Sequence, residues 1–411
     1  MDVLFERGKN VEDVKSEKQS KKEFKKKLMK ELMIKIKKQA ERMELTFPDI
    51  ERKTGVDRVV ISDAVTGNTA EMKFDNFLLV TSVLFENMEE RKKILNEFIS
   101  LMKNPLNIRK SLVYYQGIGE FKSMDSLIEA HKNNDKLKKY LCVYKFFNMR
   151  NKNEKKGQPL IDELDKKSFS MEAECGVLVN MLYNFSMYDI FNIRAMHPYT
   201  DKVEKNLSGL ADGFIKELLT LHFKERLAYI NLFDDKLEAC RRYAKDILNA
   251  QTDIHLIKAT SMCVLGESYM FEDQLLSEKW ILNSIDYLDK NGVSRESRKY
   301  KSFNTTLNFL YIEFGFNLDK INFDYIDTSE LGYHIGLYED KEKGLEMIYN
   351  LVKERGSSPF TDYYIARINE DLEGLEKALM RFERVANYHY AKAVRRTIEL
   401  LKKKQREVER V

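Results

Sequence analysis

Residues 228–247, AYINLFDDKLEACRRYAKDI, place small side chains at Ala228, Cys240 and Ala244 and a branched apolar one at Ile247. Counted from Ala228 the offsets are twelve, sixteen and nineteen. That is the spacing of a helical hairpin in which small residues let two antiparallel helices approach and the last apolar one fills the seam with the next hairpin. Asp234-Asp235 falls at the turn, where an acidic residue caps the following helix. The same spacing recurs as Gly266, Glu278, Leu282 and Ile285, with Glu278 a misfit, and as Ala366, Ala378, Phe382 and Val385.

Working outward, helical patterns of roughly 10 to 16 residues alternate with short breaks from about residue 90 onward, as paired-helix repeats do. The breaks include Asn104-Pro105, Asn133-Asn134, Lys156-Gly157, Gly292 and Gly356-Ser357-Ser358-Pro359. The pattern predicts an all-α chain in which residues 89–393 form a right-handed α-solenoid of degenerate tetratricopeptide-like helical hairpins. First helices line the concave face of such an array, which suits an extended peptide. The bulk composition agrees: 17 Gly and 5 Pro in 411 residues leave few turn signals for an all-β protein. A single core stops growing near 250 to 300 residues, so more than one unit is expected.

The N-terminus differs from the array. Between Lys15 and Lys38 eleven lysines face only Glu17, Glu23 and Glu31, although the net charge of the whole chain is only +4. A basic cluster beside a compact helical head is the footprint of phosphate-backbone binding; a solvated arm has the same composition. Residues 1–20 are taken as a basic arm. Over 21–43, Phe24, Leu28, Leu32, Ile36 and Ala40 recur at i+4 steps and predict an amphipathic first helix. With Gly55 as a tight turn, Ile50, Val56, Ile61 and Ala64 occupy the positions that dock the two helices of a helix-turn-helix. Asp57 is the expected N-cap of the second helix, and Gly67 its terminator. The segment 72–88 closes a bundle over 21–88 with Phe74, Phe77, Leu78, Val83 and Leu84. This reading makes Arg52, Lys53, Arg58, Ser62 and Thr66 the DNA-facing residues, Arg58 first among them because a helix-start arginine reaches guanine or phosphate. Glu51 departs from the small residue usual where the helices approach, and a plain helical hairpin remains the alternative.

No catalytic constellation is present. The six histidines lack an H-E-x-x-H spacing, Gly117-Ile118-Gly119 lacks a third glycine, and no phosphate-binding loop occurs. Cys142, Cys175, Cys240 and Cys263 form no C-x-x-C pair, which signals neither zinc nor a disulfide framework. The chain is expected to work without metal, cofactor or catalysis. With no apolar run near the roughly 20 residues that span a bilayer, it is expected in the cytoplasm, with no membrane partner.

At Leu237-Glu238-Ala239-Cys240-Arg241-Arg242-Tyr243-Ala244-Lys245 and Leu265-Gly266-Glu267-Ser268-Tyr269-Met270-Phe271 the sequence resembles the arbitrium receptor (AimR) family of temperate phages of bacilli, within the wider class of peptide-sensing regulators with tetratricopeptide arrays. The resemblance continues through Gly332–Ile335, Tyr363–Asp371 and the helix over 382–392. It covers most of 220–400 in pattern, and before residue 100 extends only to the layout of head plus array.

The resemblance implies a homodimeric transcriptional regulator of the bacterial host's cytoplasm that binds operator DNA through its head and a short communication peptide in its array, setting lysis against lysogeny. It implies dimerisation or capping by the last helix, 394–411, with Val394, Ile398, Leu401 and Val408 as a seam. Carried over residue by residue, peptide contacts fall on Tyr229, Phe233, Glu267, Met270, Thr306, Thr328, Asn387 and Tyr390. Where well-known members have asparagines, Tyr229, Phe233 and Glu267 stand here, so a more apolar central peptide residue is expected, with Glu267 available to a cationic group. Ordinary core packing is the competing explanation for the aromatics. A peptide-gated protein acting on a protein partner, such as a response regulator, and a constitutive scaffold are the alternative functions.

Overall fold

The structure, a computed structural model, describes residues 11–171 and 173–408. Among the described residues there are 21 α-helices and no strand. They divide into two compact units: residues up to Val113 with Glu129–Leu137, and Tyr114–Ile128 with the chain from Lys138 onward.

The first unit is built from α1 (Val11–Arg42), α2 (Phe47–Thr54), α3 (Arg58–Thr66), α4 (Phe74–Leu84), α5 (Met88–Leu101) and the start of α6 (Pro105–Ile118). Of the expected arm, residues 11–20 belong to α1, and 1–10 lie outside the described residues. The stripe of α1 holds at Leu32, Ile36 and Ala40, which are buried, but Phe24 is 61% exposed. Met29 and Met33 are buried instead, because a 3.6-residue period mixes i+3 with i+4 steps. Likewise Val80, not Val83, fills the core beside Phe74, Phe77, Leu78 and Leu84.

This unit does not end at residue 88. The Phe98 ring of α5 stacks on Phe77 with centroids 3.9 Å apart. Asn107 of α6 accepts the Phe74 N–H at 3.0 Å and donates to the Met72 carbonyl at 2.9 Å, satisfying backbone groups at the start of α4.

The second unit takes the front of α7 (Phe121–His131) and then α8 (Lys138–Asn151), α9 (Gln158–Asp165), α10 (Ala173–Asp189), α11 (Met196–Ser208), α12 (Phe214–Phe233), α13 (Leu237–Leu248) and α14 (His255–Tyr269). It continues through α15 (Gln274–Lys290), α16 (Arg298–Phe314), α17 (Thr328–Tyr338), α18 (Lys341–Arg355), α19 (Pro359–Ile368), α20 (Leu372–Arg384) and α21 (Tyr388–Val408). Neighbours in sequence pack together, and alternate helices pack too: α12 on α14, α14 on α16 and α17 on α19. That is the stacking of a helical-hairpin solenoid. Where α18 crosses α17 the backbones nearly touch, since a Cβ on Gly344 would stand 2.3 Å from the Gly336 nitrogen.

The repeat spacing is found as expected at Ala228, Cys240, Ala244 and Ile247, all with no exposed surface. The second instance is shifted by one residue. Ser277, Ile281, Ser284 and Leu288 face the core while Leu282 is 43% exposed. Ser277 supplies the small residue the crossing demands, and Glu278 turns aside to accept hydrogen bonds from Tyr311 at 2.8 Å and Asn317 at 2.9 Å. The seam position therefore belongs to Ser277 and not to Glu278.

The last helix returns against α12. Val394 and Ile398 are buried in the chain's own core, so they are not free to form a seam with a second copy; on α21 it is Leu400 and Val408 that are exposed. The interior of this chain claims the more apolar side of that helix.

Candidate functional site

In the first unit, α2 starts at Thr46, which forms a reciprocal capping box with Asp49, and ends at Gly55, held at φ 71°. That left-handed turn is open to glycine at little cost. Asp57 then caps α3, its carboxylate accepting the Val59 N–H at 2.7 Å. Ile50, Val56, Ile61 and Ala64, the four positions the spacing marked, are all buried, and α2 packs on α3. Arg52, Lys53, Arg58 and Thr66 are exposed and Ser62 half-buried.

Arg52 also pairs with Asp49 at 3.0 Å. Thr66 donates to the Ser62 carbonyl at 2.9 Å. Sequence reading passed over Val59 and Val60, 58% and 38% exposed on α3, an apolar pair that α3 turns to solvent.

In the second unit the structure draws four of the eight carried-over positions into one cluster. The Tyr229 hydroxyl of α12 donates to one Glu267 oxygen at 3.1 Å, and Tyr390 of α21 donates to the other at 2.9 Å. Phe233 stands 6.1 Å from the Tyr229 ring. Burial raises the Glu267 carboxyl above its usual range, against the hydroxyls that favour its charge. Glu267 is buried, and each of its oxygens accepts one of these hydrogen bonds from within the chain. Met270 is fully buried at the end of α14, and Asn387 accepts the Tyr390 N–H at 3.3 Å, so both serve packing and capping. Thr306 is half-buried in α16, donating to the Ser302 carbonyl at 3.1 Å, and Thr328 is exposed at the start of α17.

Beside Tyr229 lies a cleft that no sequence motif announced. Arg150, Arg226, Arg298 and Lys299 line it with Phe121, Asn151, Tyr188 and Ser302. Asp189, its side chain wholly buried, accepts both an Nε and an Nη bond from Arg150 at 2.8 Å and is also bonded by Arg298. Glu225, of which 3% is exposed, accepts from Lys299 at 2.7 Å and Arg226 at 3.1 Å. Burial works against both carboxylates, but the cations around them win and hold each down at about 2. His222 of the same cluster is pushed down to about 4, chiefly by burial. The one local signal in the sequence was Glu225-Arg226 interrupting the apolar face of α12; the partners lie as far away as Arg298.

A family profile described as AimR transcriptional regulator-like matches residues 90–400. The chain belongs to that family. An uncharacterized Bacillus anthracis protein, pXO2-35, is 28% identical over 255 residues, which is 60% of this chain and 93% of that protein. A solved structure of phAimR with its ligand superposes with a TM-score of 0.68 at 20% identity, covering 78% of this chain and 95% of that one. Selenomethionine-labelled phAimR gives 0.60 at 18% identity over 90% of this chain and 99% of the other. At such identities the likeness is one of fold. The AimR-like match starts after α4, so the reading of α2 and α3 stands on their geometry alone. No helix among the described residues is long and apolar enough to cross a membrane.

Proposed function

We propose that this AimR-like chain is a peptide-responsive transcriptional regulator: a cytoplasmic homodimer that binds operator DNA through α2 and α3 and takes a short communication peptide in its helical array, setting lysis against lysogeny. The observation that carries the DNA half is α3 itself. It is capped by Asp57, docked by Ile61 and Ala64, and shows Arg58 and Thr66 to solvent, the presentation a major-groove helix needs. The peptide half is supported by family membership and by the ligand-bound relative of the same fold. The exposed Leu400 and Val408 of α21 leave apolar surface for a second copy.

A protein partner is the second reading, favoured by exposed Val59 and Val60 beside Arg58. Fluorescence anisotropy with the DNA flanking the gene, with and without short peptides encoded beside it, separates the two. Salt-sensitive specific binding altered by one peptide is the result expected of the regulator. Absence of specific DNA binding under every condition transfers α3 to a protein partner.

A further inference from the structure

We propose that the cleft between α8, α10, α12 and α16 binds a carboxylate group of the peptide ligand. This rests on the peptide-receptor reading and specifies its chemistry. The first reason is charge. Four cations, Arg150, Arg226, Arg298 and Lys299, meet two carboxylates, Asp189 and Glu225, so two positive charges remain uncompensated in a largely buried setting. Adding Glu267, which lies near Lys299, still leaves the cations in excess. Burying unpaired charge is costly unless something pairs with it.

The second reason is an open donor. Arg226 is 2% exposed, and its Nε has no hydrogen-bond partner. The Tyr188 and Tyr229 rings lie 5.3 and 4.9 Å from its guanidinium carbon, and Phe185 lies 4.6 Å away. With aromatic rings packed around its faces and Nη2 already donating to Glu225, the guanidinium keeps its Nε–H for an in-plane acceptor such as a carboxylate oxygen.

The third is size. The cavity offers about 40 Å³ to water-sized spheres. That is room for one small anchoring group and not for a whole peptide. Exposed Ser302 and the quarter-exposed Lys299 mark the side from which such a group enters. Lys299 and Arg150 already pay for confinement in their ionisation: burial holds the first down to about 8 and the second to about 10. An incoming anion favours their charged forms.

The carboxylate has two sources in a peptide, the C terminus and an Asp or Glu side chain. The protein is mixed with four synthetic short-peptide pools, with Asp or isosteric Asn fixed at one position, no other acidic residue, and the C terminus free or amidated, and its Tm is read. The strongest binder recovered is then titrated singly. Stabilisation only by pools that retain a carboxylate, with at least tenfold weaker binding when that group becomes an amide, is the expected result; which amide matters identifies the source. Lys299→Gln, on the solvent side, and Arg226→Gln should each lose the same discrimination, and Lys299→Gln keeps the test open should the buried variant not fold. Amide pools that bind as well as acidic ones overturn the carboxylate site and leave the peptide-receptor reading intact. If no pool raises Tm, both fail.

Discussion

Replacing Asp189 by Asn is the sharpest test of the charge arrangement, because it moves stability and ligand affinity in opposite directions. The isosteric amide keeps one acceptor oxygen but removes the negative charge that holds Arg150, 7% exposed, and Arg298, 21% exposed. Removing one partner of a buried pair typically costs about 3–5 kcal/mol. An independent bound comes from ionisation. Burial opposes the charge of Asp189, yet the two arginines hold its carboxyl near 2 against an ordinary 3.8. At about 1.4 kcal/mol per tenfold change in acidity, that lowering corresponds to roughly 2–3 kcal/mol. A loss of about 2–5 kcal/mol is therefore expected at neutral pH.

The sign with pH follows from the lowered value: this stabilisation is complete above pH 4 and disappears as pH falls through 2. Guanidinium melts of wild type and Asp189→Asn should then differ at pH 7 and converge near pH 2. The same substitution makes the cleft more positive, so a carboxylate ligand should bind the folded variant more tightly. Equal stability at pH 7, or weaker ligand binding by a folded variant, would refute the reasoning.

Other outcomes can be stated briefly. Gly344→Ala should destabilise by about 1–3 kcal/mol, since its Cβ would meet backbone atoms of α17 at 2.3–2.5 Å and the strain outweighs the roughly 1 kcal/mol gained by removing a helical glycine. Gly209→Ala, with nothing nearer than 3.6 Å, should be neutral or stabilising in the same thermal melts. Arg58→Ala should weaken operator binding by about 1–3 kcal/mol; unchanged anisotropy in a folded variant would remove α3 from the DNA interface. Carboxylate affinity should fall as pH rises past about 8, where Lys299 loses its proton. Around Lys299 the charged neighbours are Glu225, Arg226, Arg150 and Glu267, with His222 uncharged there, and a flat affinity profile from pH 7 to 9 would exclude Lys299 as a contact.

What the sequence determined by itself was local. Helix content follows from composition and a 3.6-residue period, and caps from Asp57 beside the Gly55 turn, because each depends on residues a few positions apart. The burial of Ile50, Val56, Ile61 and Ala64 was legible for the same reason. Register was harder: Glu278 and Ser277 are adjacent in sequence but stand about 100° apart around α15, and only the Gly266 crossing, where a Cβ would lie 2.9 Å from the Ser277 carbonyl, selects between them. The return of α21 was not legible, since burial of Val394 and Ile398 against distant helices leaves no local signature.

The candidate binding cleft was decided by tertiary structure alone. Arg150, Asp189, Arg226 and Arg298 come from four helices and carry no common spacing; a charge in sequence reveals neither its partner nor whether water surrounds it. Glu267 makes the same point from the other side. As a lone acid it reads as a site for a cation; in the fold its oxygens accept from two tyrosines brought from α12 and α21. Helices form from neighbours along the chain, whereas electrostatic sites form from neighbours in space.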